Sequence, residues 1–314
     1  MKYKKILITG GAGFIGSHLA DRLLNMDNEV IVYDNFDDFY QGKEGNVQHN
    51  LVDKNYKLIK GDILNYELLK SIMKGVDVIF HMAAQAGIRQ CIMNPLKAHN
   101  VNVTGTLNVL MAAKENHVKK LVYASSSGIF GLLRYVPIDE DHPTNPNSPY
   151  GATKLAAEKY CLSFLEVYEM NIACLRYFSV YGPRGRPDQV IHAFSKAILE
   201  GKRPIIYGDG EQTRDFTFIS DIVEATILTA DKEEAQGVFN IGYGREIKIN
   251  ETFGIVSKAL DMPEMKPQYE KTYRGDFPRT FADNSKARNF LGWEPKISIE
   301  EGVRLFVKWF IASQ

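Results

Sequence analysis

Tyr150 and Lys154 stand four residues apart in Tyr150-Gly-Ala-Thr-Lys154. On a helix that spacing puts both side chains on one face. A phenol ionises at about pH 10 and is a poor base at neutral pH. A neighbouring ammonium group favours the phenolate, and so does a positively charged nicotinamide. The pair suits removal of a proton from a hydroxyl as hydride leaves the same carbon, with Lys154 also placed to hold a neighbouring group of the hydride acceptor. Most Tyr-x-x-x-Lys pairs are solvated helix faces. This one is set apart by a preceding dinucleotide-type loop and by the serine-rich stretch Ser125-Ser126-Ser127.

The loop lies in Ile6-Leu7-Ile8-Thr9-Gly10-Gly11-Ala12-Gly13-Phe14-Ile15-Gly16. The apolar run reads as a buried parallel strand, and Ser17 to Asn25 reads as an amphipathic helix. A glycine turn between them lets the backbone approach a pyrophosphate, whose charge the helix dipole favours. Gly10, Gly13, Phe14, Ile15 and Gly16 are therefore expected cofactor contacts. A second strand, Glu29 to Tyr33, ends in Asp34, close to the expected spacing of ~20 residues. An acid there accepts hydrogen bonds from ribose hydroxyls and repels a 2′-phosphate. The reading is NAD rather than NADP, with Asn35 beside Asp34.

Further strands are expected at Tyr56 to Ile59, Asp77 to Phe80, Leu121 to Ala124 and Asn171 to Arg176, with a late one at Val238 to Ile241. Strands alternating with helices predict an α/β fold: a doubly wound parallel-sheet Rossmann domain covered on both faces. Asn35 to Asn55 reads as a polar loop, and Tyr181 to Asp188 as a loop that cannot be helix. A helix is expected from Ala152 to Met170, and another from Ile299 to Phe310. The break in rhythm after Arg176 predicts a smaller mixed α/β substrate domain. Residues 1–178 with 214–258 are expected to bind NAD, and residues 179–213 with 259–314 the nucleotide sugar.

The 314 residues are 45% hydrophobic, enough for a packed core. Lys+Arg and Asp+Glu are both 38, so there is no electrostatic footprint for nucleic acid or membrane. Cys91, Cys161 and Cys174 have neither metal-ligand spacing nor the even count of a disulfide framework. No metal is expected. A first strand within a few residues of the N-terminus predicts no signal peptide, and no apolar run has the ~18 residues of a membrane helix. The expectation is a soluble cytoplasmic protein.

Together these motifs resemble the extended short-chain dehydrogenase/reductases that act on nucleotide sugars, over essentially the whole chain. Asp62-Ile63 is similar to the family's adenine contact, Ala83 and Ala84 to its floor under the cofactor, and Asn102 to its buried asparagine behind the active site. Ser125 to Gly131 resembles its serine-rich strand end. The resemblance implies that Ser126 hydrogen-bonds the reacting hydroxyl and shares its proton with Tyr150, and that Ser127 touches substrate. Ile129-Phe130 replaces the usual Val-Tyr. Related dehydratases carry an Asp-Glu pair where this chain has Ser127-Gly128, and related decarboxylases a Glu at position 128. Elimination then lacks its acid and base. Redox without elimination leaves epimerisation.

On the substrate side, Arg214-Asp215-Phe216 resembles the motif whose arginine binds the diphosphate. Tyr207 falls where an aromatic ring stacks on uracil, and Asp276 matches an acid near the nucleoside. The family often has Arg three residues before that acid, where Tyr273 stands here. Three stretches resemble UDP-glucuronate 4-epimerases: Asp34 to Tyr40, Gln85-Ala-Gly-Ile-Arg89, and Gly182-Pro-Arg-Gly-Arg186-Pro-Asp. Ser179 stands where that group has Thr. The resemblance thus implies a UDP-sugar substrate, best fitted by UDP-glucuronate. Arg186 is the expected cation for the sugar carboxylate, Arg89 its reserve, with donors near Ser127 and Ser179. The rivals are an epimerase of UDP-glucose or its N-acetyl form, for which Thr280 would leave room, and a non-catalytic dinucleotide-binding regulator. A homodimer through paired helices is the family expectation.

Overall fold

The computed structural model describes residues 1–2, 4–272 and 278–313. Its main sheet has seven strands: β1 (Lys5–Thr9), β2 (Glu29–Asp34), β3 (Tyr56–Lys60), β4 (Val78–His81), β5 (Lys120–Ser126), β6 (Ile172–Tyr177) and, later, β10 (Gly237–Ile241). They run parallel in the order β10-β6-β5-β4-β1-β2-β3. Their apolar side chains are buried on both faces because helices cover both. The strand order reverses between β1 and β4, and a crevice opens there at the carboxyl ends of the strands.

A smaller layer sits above that edge. It holds β7 (Ser179–Tyr181), β9 (Thr213–Phe218) and β11 (Glu246–Lys248), with β7 parallel and β11 antiparallel to β9. A parallel pair, β8 (Ile205–Tyr207) and β12 (Gln268–Glu270), lies beside it. The doubly wound sheet with a second, mixed layer agrees with the sequence reading. So do the strands, each within a residue or two of its expected bounds.

Two segments differ. The stretch expected as a polar loop contains the helix Lys43–Val47 and the 3₁₀ turn Gln48–Val52. Its length hid them, since five-residue elements have no readable periodicity. The helix bearing Tyr150 runs Pro149–Tyr168, starting earlier than expected. Ser148 caps it by accepting from the Gly151 N–H at 3.2 Å, and Pro149 fills the first helical position, where no N–H is needed.

Candidate active site

A cleft of about 580 Å³ lies at the carboxyl ends of β1 to β6. On one wall is the glycine loop. Gly10 has φ +68, and a Cβ there would fall 2.6 Å from the Ala83 backbone. Only glycine permits that approach of loop to floor. A Cβ on Gly13 would point into the cradle, 3.2 Å from the Gly10 carbonyl. Phe14 opens the helix Phe14–Leu24, whose N-terminus faces the cleft, with Ile15 and Gly16 also at its surface. Ala83 and Ala84 follow β4 as the floor.

Asp34 ends β2 buried, where Oδ2 accepts from Ala12 N–H at 3.0 Å and Oδ1 from Phe36 N–H at 2.8 Å. Burial raises its pKa, while those donors and Lys43 oppose the shift. Asn35 donates to Asp62 Oδ2 at 2.9 Å, and Tyr33 donates to the Asp62 carbonyl at 2.7 Å. Ile63 packs on Gly105. Together these residues offer a glycine turn at a helix N-terminus, a buried carboxylate and an apolar slot beside Ile63. They fit NAD.

At the centre, Tyr150 is half-buried and Lys154 buried. Ser126 Oγ accepts from the Gly128 N–H at 3.1 Å, so its own hydrogen is available to the Tyr150 oxygen. Burial raises the Tyr150 pKa; the Ser126 hydrogen bond and the Arg186 charge pull it back. Lys154 lies with Nζ 4.3 Å from the centre of the Tyr123 ring, and burial lowers its pKa to about 8. The Arg186 charge also acts on the phenol.

Beneath Ser126, Ser125 donates to Glu158 at 2.6 Å, and Glu158 is paired with Arg176 at 2.8 Å in full burial. Asn102 accepts from Gln85 N–H at 2.7 Å and donates to Thr153 Oγ1 at 3.0 Å; Thr153 donates to the Tyr150 carbonyl at 2.9 Å. These bonds fix the first turn of the helix bearing Tyr150. Gly128 carries no side chain over Tyr150, and a Cβ there would lie 3.4 Å from the ring.

The far wall carries the other expected contacts. Arg89 stacks on Tyr207, its guanidinium carbon 4.8 Å from the ring centre. Arg214 donates to the Thr213 carbonyl at 2.7 Å and Ser179 opens β7; both line the cleft. Asp215 is buried and accepts from the Tyr243, Gly244 and Ala282 N–H groups at 2.7 to 3.0 Å, which anchors the strand bearing Arg214. Arg186 is held by Asp188 at 2.9 and 3.2 Å, beside the Phe39 ring. Ser127 opens a single 3₁₀ turn and is not among the cleft-lining residues. Thr280 Oγ1 accepts from Asp215 N–H at 3.1 Å and also lies off the cleft. Asp276 and Tyr273 lie outside the described residues.

Sequence reasoning missed Phe39, Tyr40 and Lys43, which reach the cleft from the second-strand loop. Tyr40 accepts from Phe14 N–H at 3.1 Å, and Lys43 lies over the Tyr40 ring. The aromatic pair in an otherwise polar stretch was the available signal. No helix among the described residues is long and apolar enough to cross a membrane, and no metal-binding cluster occurs among them.

The GDP-mannose 4,6 dehydratase family model matches residues 7–306. A UDP-glucuronate 4-epimerase of Thermodesulfobacterium geofontis is 40% identical over 96% of this chain and 95% of its own. A UDP-N-acetylglucosamine 4-epimerase from Methanobrevibacter ruminantium, solved with UDP-N-acetylmuramic acid, is 37% identical with TM-score 0.93, covering 100% of both chains. A UDP-glucuronic acid 4-epimerase from Bacillus cereus, solved with UDP-glucuronic acid and NAD, is 33% identical with TM-score 0.93, over 99% of this chain and 100% of that one. The chain therefore belongs to the GDP-mannose 4,6 dehydratase family, among the extended short-chain dehydrogenase/reductases that work with NAD on nucleotide sugars.

Proposed function

We propose that this enzyme is an NAD-dependent UDP-sugar 4-epimerase acting on UDP-glucuronate to give UDP-galacturonate. Tyr150 carries the reading: a phenol beside Ser126 and Lys154, with no carboxyl group at positions 127 or 128 to drive elimination. Bound NAD supplies acceptance and return of a hydride. Tyr150 takes the proton of the sugar 4-hydroxyl, and Ser126 holds that hydroxyl and shares the proton. Lys154 keeps the nicotinamide ribose in place. Once the 4-keto sugar has presented its other face, Tyr150 returns the proton.

Oxidation at C4 of a glucuronate creates a β-keto acid, which loses carbon dioxide when its carboxylate aligns with the carbonyl π system. Arg186, near Tyr150, offers a planar fork suited to fixing a carboxylate out of that alignment. Arg89 is the reserve. Arg214 meets the diphosphate, Tyr207 and Asp276 the nucleoside, and Ser179 the sugar, with Ser127 one residue beyond the cleft-lining Ser126. A second reading, a 4-epimerase of UDP-glucose or UDP-N-acetylglucosamine, draws support from Asp188, which already neutralises Arg186. The two-unit division, residues 1–178 with 214–258 for cofactor and 179–213 with 259–314 for sugar, belongs to this proposal. So does a cytoplasmic homodimer: Met93 and Leu96 are 69% exposed and Val167 64%, apolar side chains on helices that a second copy would cover.

Incubation of purified protein with a panel of UDP-sugars, with chromatographic separation of products, tests the substrate. Conversion of UDP-glucuronate is expected. Conversion of UDP-glucose with none of UDP-glucuronate defeats the assignment and leaves the second reading.

A further inference from the structure

A buried hydroxyl–imidazole relay runs beneath the cleft and has no part in the chemistry above. Thr9 ends β1, His81 ends β4, and Thr106 lies in the helix Gly105–Glu115; all three are buried. Thr9 Oγ1 is 2.7 Å from His81 Nδ1, and His81 Nε2 is 2.9 Å from Thr106 Oγ1. Thr106 Oγ1 is also 2.6 Å from the Asn102 carbonyl. A carbonyl only accepts, so the single hydroxyl hydrogen of Thr106 goes there. Thr106 must then accept from His81, which places the ring proton on Nε2. Nδ1 consequently accepts from the Thr9 hydroxyl, and Thr9 accepts from the Ala83 N–H at 3.4 Å. Each bond now has one direction, from Ala83 through Thr9, His81 and Thr106 to Asn102.

The two ends of the relay matter. Ala83 is the floor that Gly10 touches. Asn102 lies in a π-helical segment, Asn100–Thr104, a rare geometry that recurs at functional sites. Its side chain continues through Thr153 to the Tyr150 carbonyl. His81 itself does not line the cleft, so it cannot exchange protons with a substrate there. Burial and the Lys154 charge keep it neutral, lowering its pKa to about 3. A protonated ring would place donors against donors and reverse half the relay.

We infer that His81, as the neutral Nε2–H tautomer, is a positioning residue that sets the cofactor cradle and the proton acceptor Tyr150 in one fixed relation. This rests on the NAD-dependent redox role of Tyr150 but not on which sugar is turned over.

His81→Phe tests it, since phenylalanine retains a ring against Tyr123 (centroids now 5.6 Å apart) and loses both hydrogen bonds. The expected result is a roughly ten- to hundredfold fall in kcat, as for other small misplacements of reacting groups, with KM for the UDP-sugar unchanged. NAD-free protein should bind NAD more weakly by calorimetry. His81→Gln retains an N–H donor near Nε2 and should recover part of both losses. Thr106→Val cuts the relay at its far end and Thr106→Ser restores it, so this pair carries the test where His81→Phe does not fold. Wild-type kcat and NAD affinity in folded His81→Phe or Thr106→Val overturn the inference, as does a rise in KM with kcat unchanged. Tyr150→Phe with normal turnover would instead bring down the underlying chemistry, while the His81 effect on NAD binding could still be read.

Discussion

On the cofactor side of the cleft, Asp34 receives its N–H bonds from Ala12 and Phe36, and Asn35 and Tyr33 both reach Asp62. These partners sit at neighbouring strand ends of one sheet. On the sugar side, Arg89 follows β4 yet stacks on Tyr207 from β8, and Arg186 comes from a loop after β7 to meet Phe39 from the loop after β2. The first wall is made by adjacent turns of a rigid scaffold. The second is assembled from segments far apart in sequence, and its charges are partly met by the protein's own groups, as Asp188 meets Arg186. The first wall is therefore expected to govern rate and cofactor identity, and the second to govern choice of sugar.

The sharpest division comes at Tyr150. Tyr150→Phe removes the proton acceptor and keeps the ring, so turnover should fall by roughly 10²–10⁴-fold. UDP-sugar affinity should stay close to wild type, because the sugar wall is untouched. Steady-state kinetics with a direct binding titration reads both numbers, and near-normal turnover would mean that another group is the base.

The same contrast explains what the sequence disclosed. The glycine loop, Asp34 and the Tyr150–Lys154 pair are local patterns, written within one turn or one strand end. Their spacing carries their geometry, and the sheet followed from strand–helix alternation. Arg186 was legible through the resemblance of its loop motif, but its pairing with Asp188 was not, because a short ion pair has no periodicity. The Thr9–His81–Thr106 relay joins three elements more than twenty residues apart, so only the folded sheet brings it together. Phe39 and Tyr40 lay in a stretch read as a resemblance without a role for either ring, and Lys43 in one whose polarity suggested solvent.

Arg186→Ala sharpens the comparison from the other wall. A charge-assisted contact is worth ~1.5–3 kcal/mol, or roughly ten- to a hundredfold in affinity. UDP-glucuronate binding should weaken by that factor and UDP-glucose binding far less. A smaller fall in kcat should accompany both sugars, since the Arg186 charge favours the Tyr150 phenolate. Equal losses of affinity would move this arginine to the diphosphate and blur the division of labour. A third substitution returns to the cofactor wall. Asp34→Ser removes the charge that repels a 2′-phosphate, so use of NADP relative to NAD should rise by roughly tenfold, on the scale of one charged contact. Reactivation of dinucleotide-free protein with each cofactor measures it. Equal reactivation of wild type by both would remove Asp34 from cofactor choice.

The smallest effect is expected where the two walls are fastened together. His18 lies on the helix Phe14–Leu24, and its Nε2 donates to the Pro183 carbonyl at 2.9 Å. Arg184, next in the chain, pairs with Asp21 of the same helix at 2.8 Å. These contacts tie the loop bearing Arg186 to the scaffold. Burial lowers the His18 pKa from 6.5 to about 4. The unfolded chain therefore binds a proton that the folded protein refuses between those values. The stability this implies is present above pH 6.5 and is lost as pH falls towards 4. One proton gives a slope of at most about 1.4 kcal/mol per pH unit. His81 titrates over an overlapping range, from 6.5 to about 3, and contributes in the same direction. His18→Gln keeps an N–H donor but cannot titrate. Urea unfolding across this range should thus show a shallower loss of stability for the variant than for wild type, with the His81 share remaining. Identical slopes would mean that the imidazole is not what fastens the substrate loop, and would leave Arg184 and Asp21 as the joint.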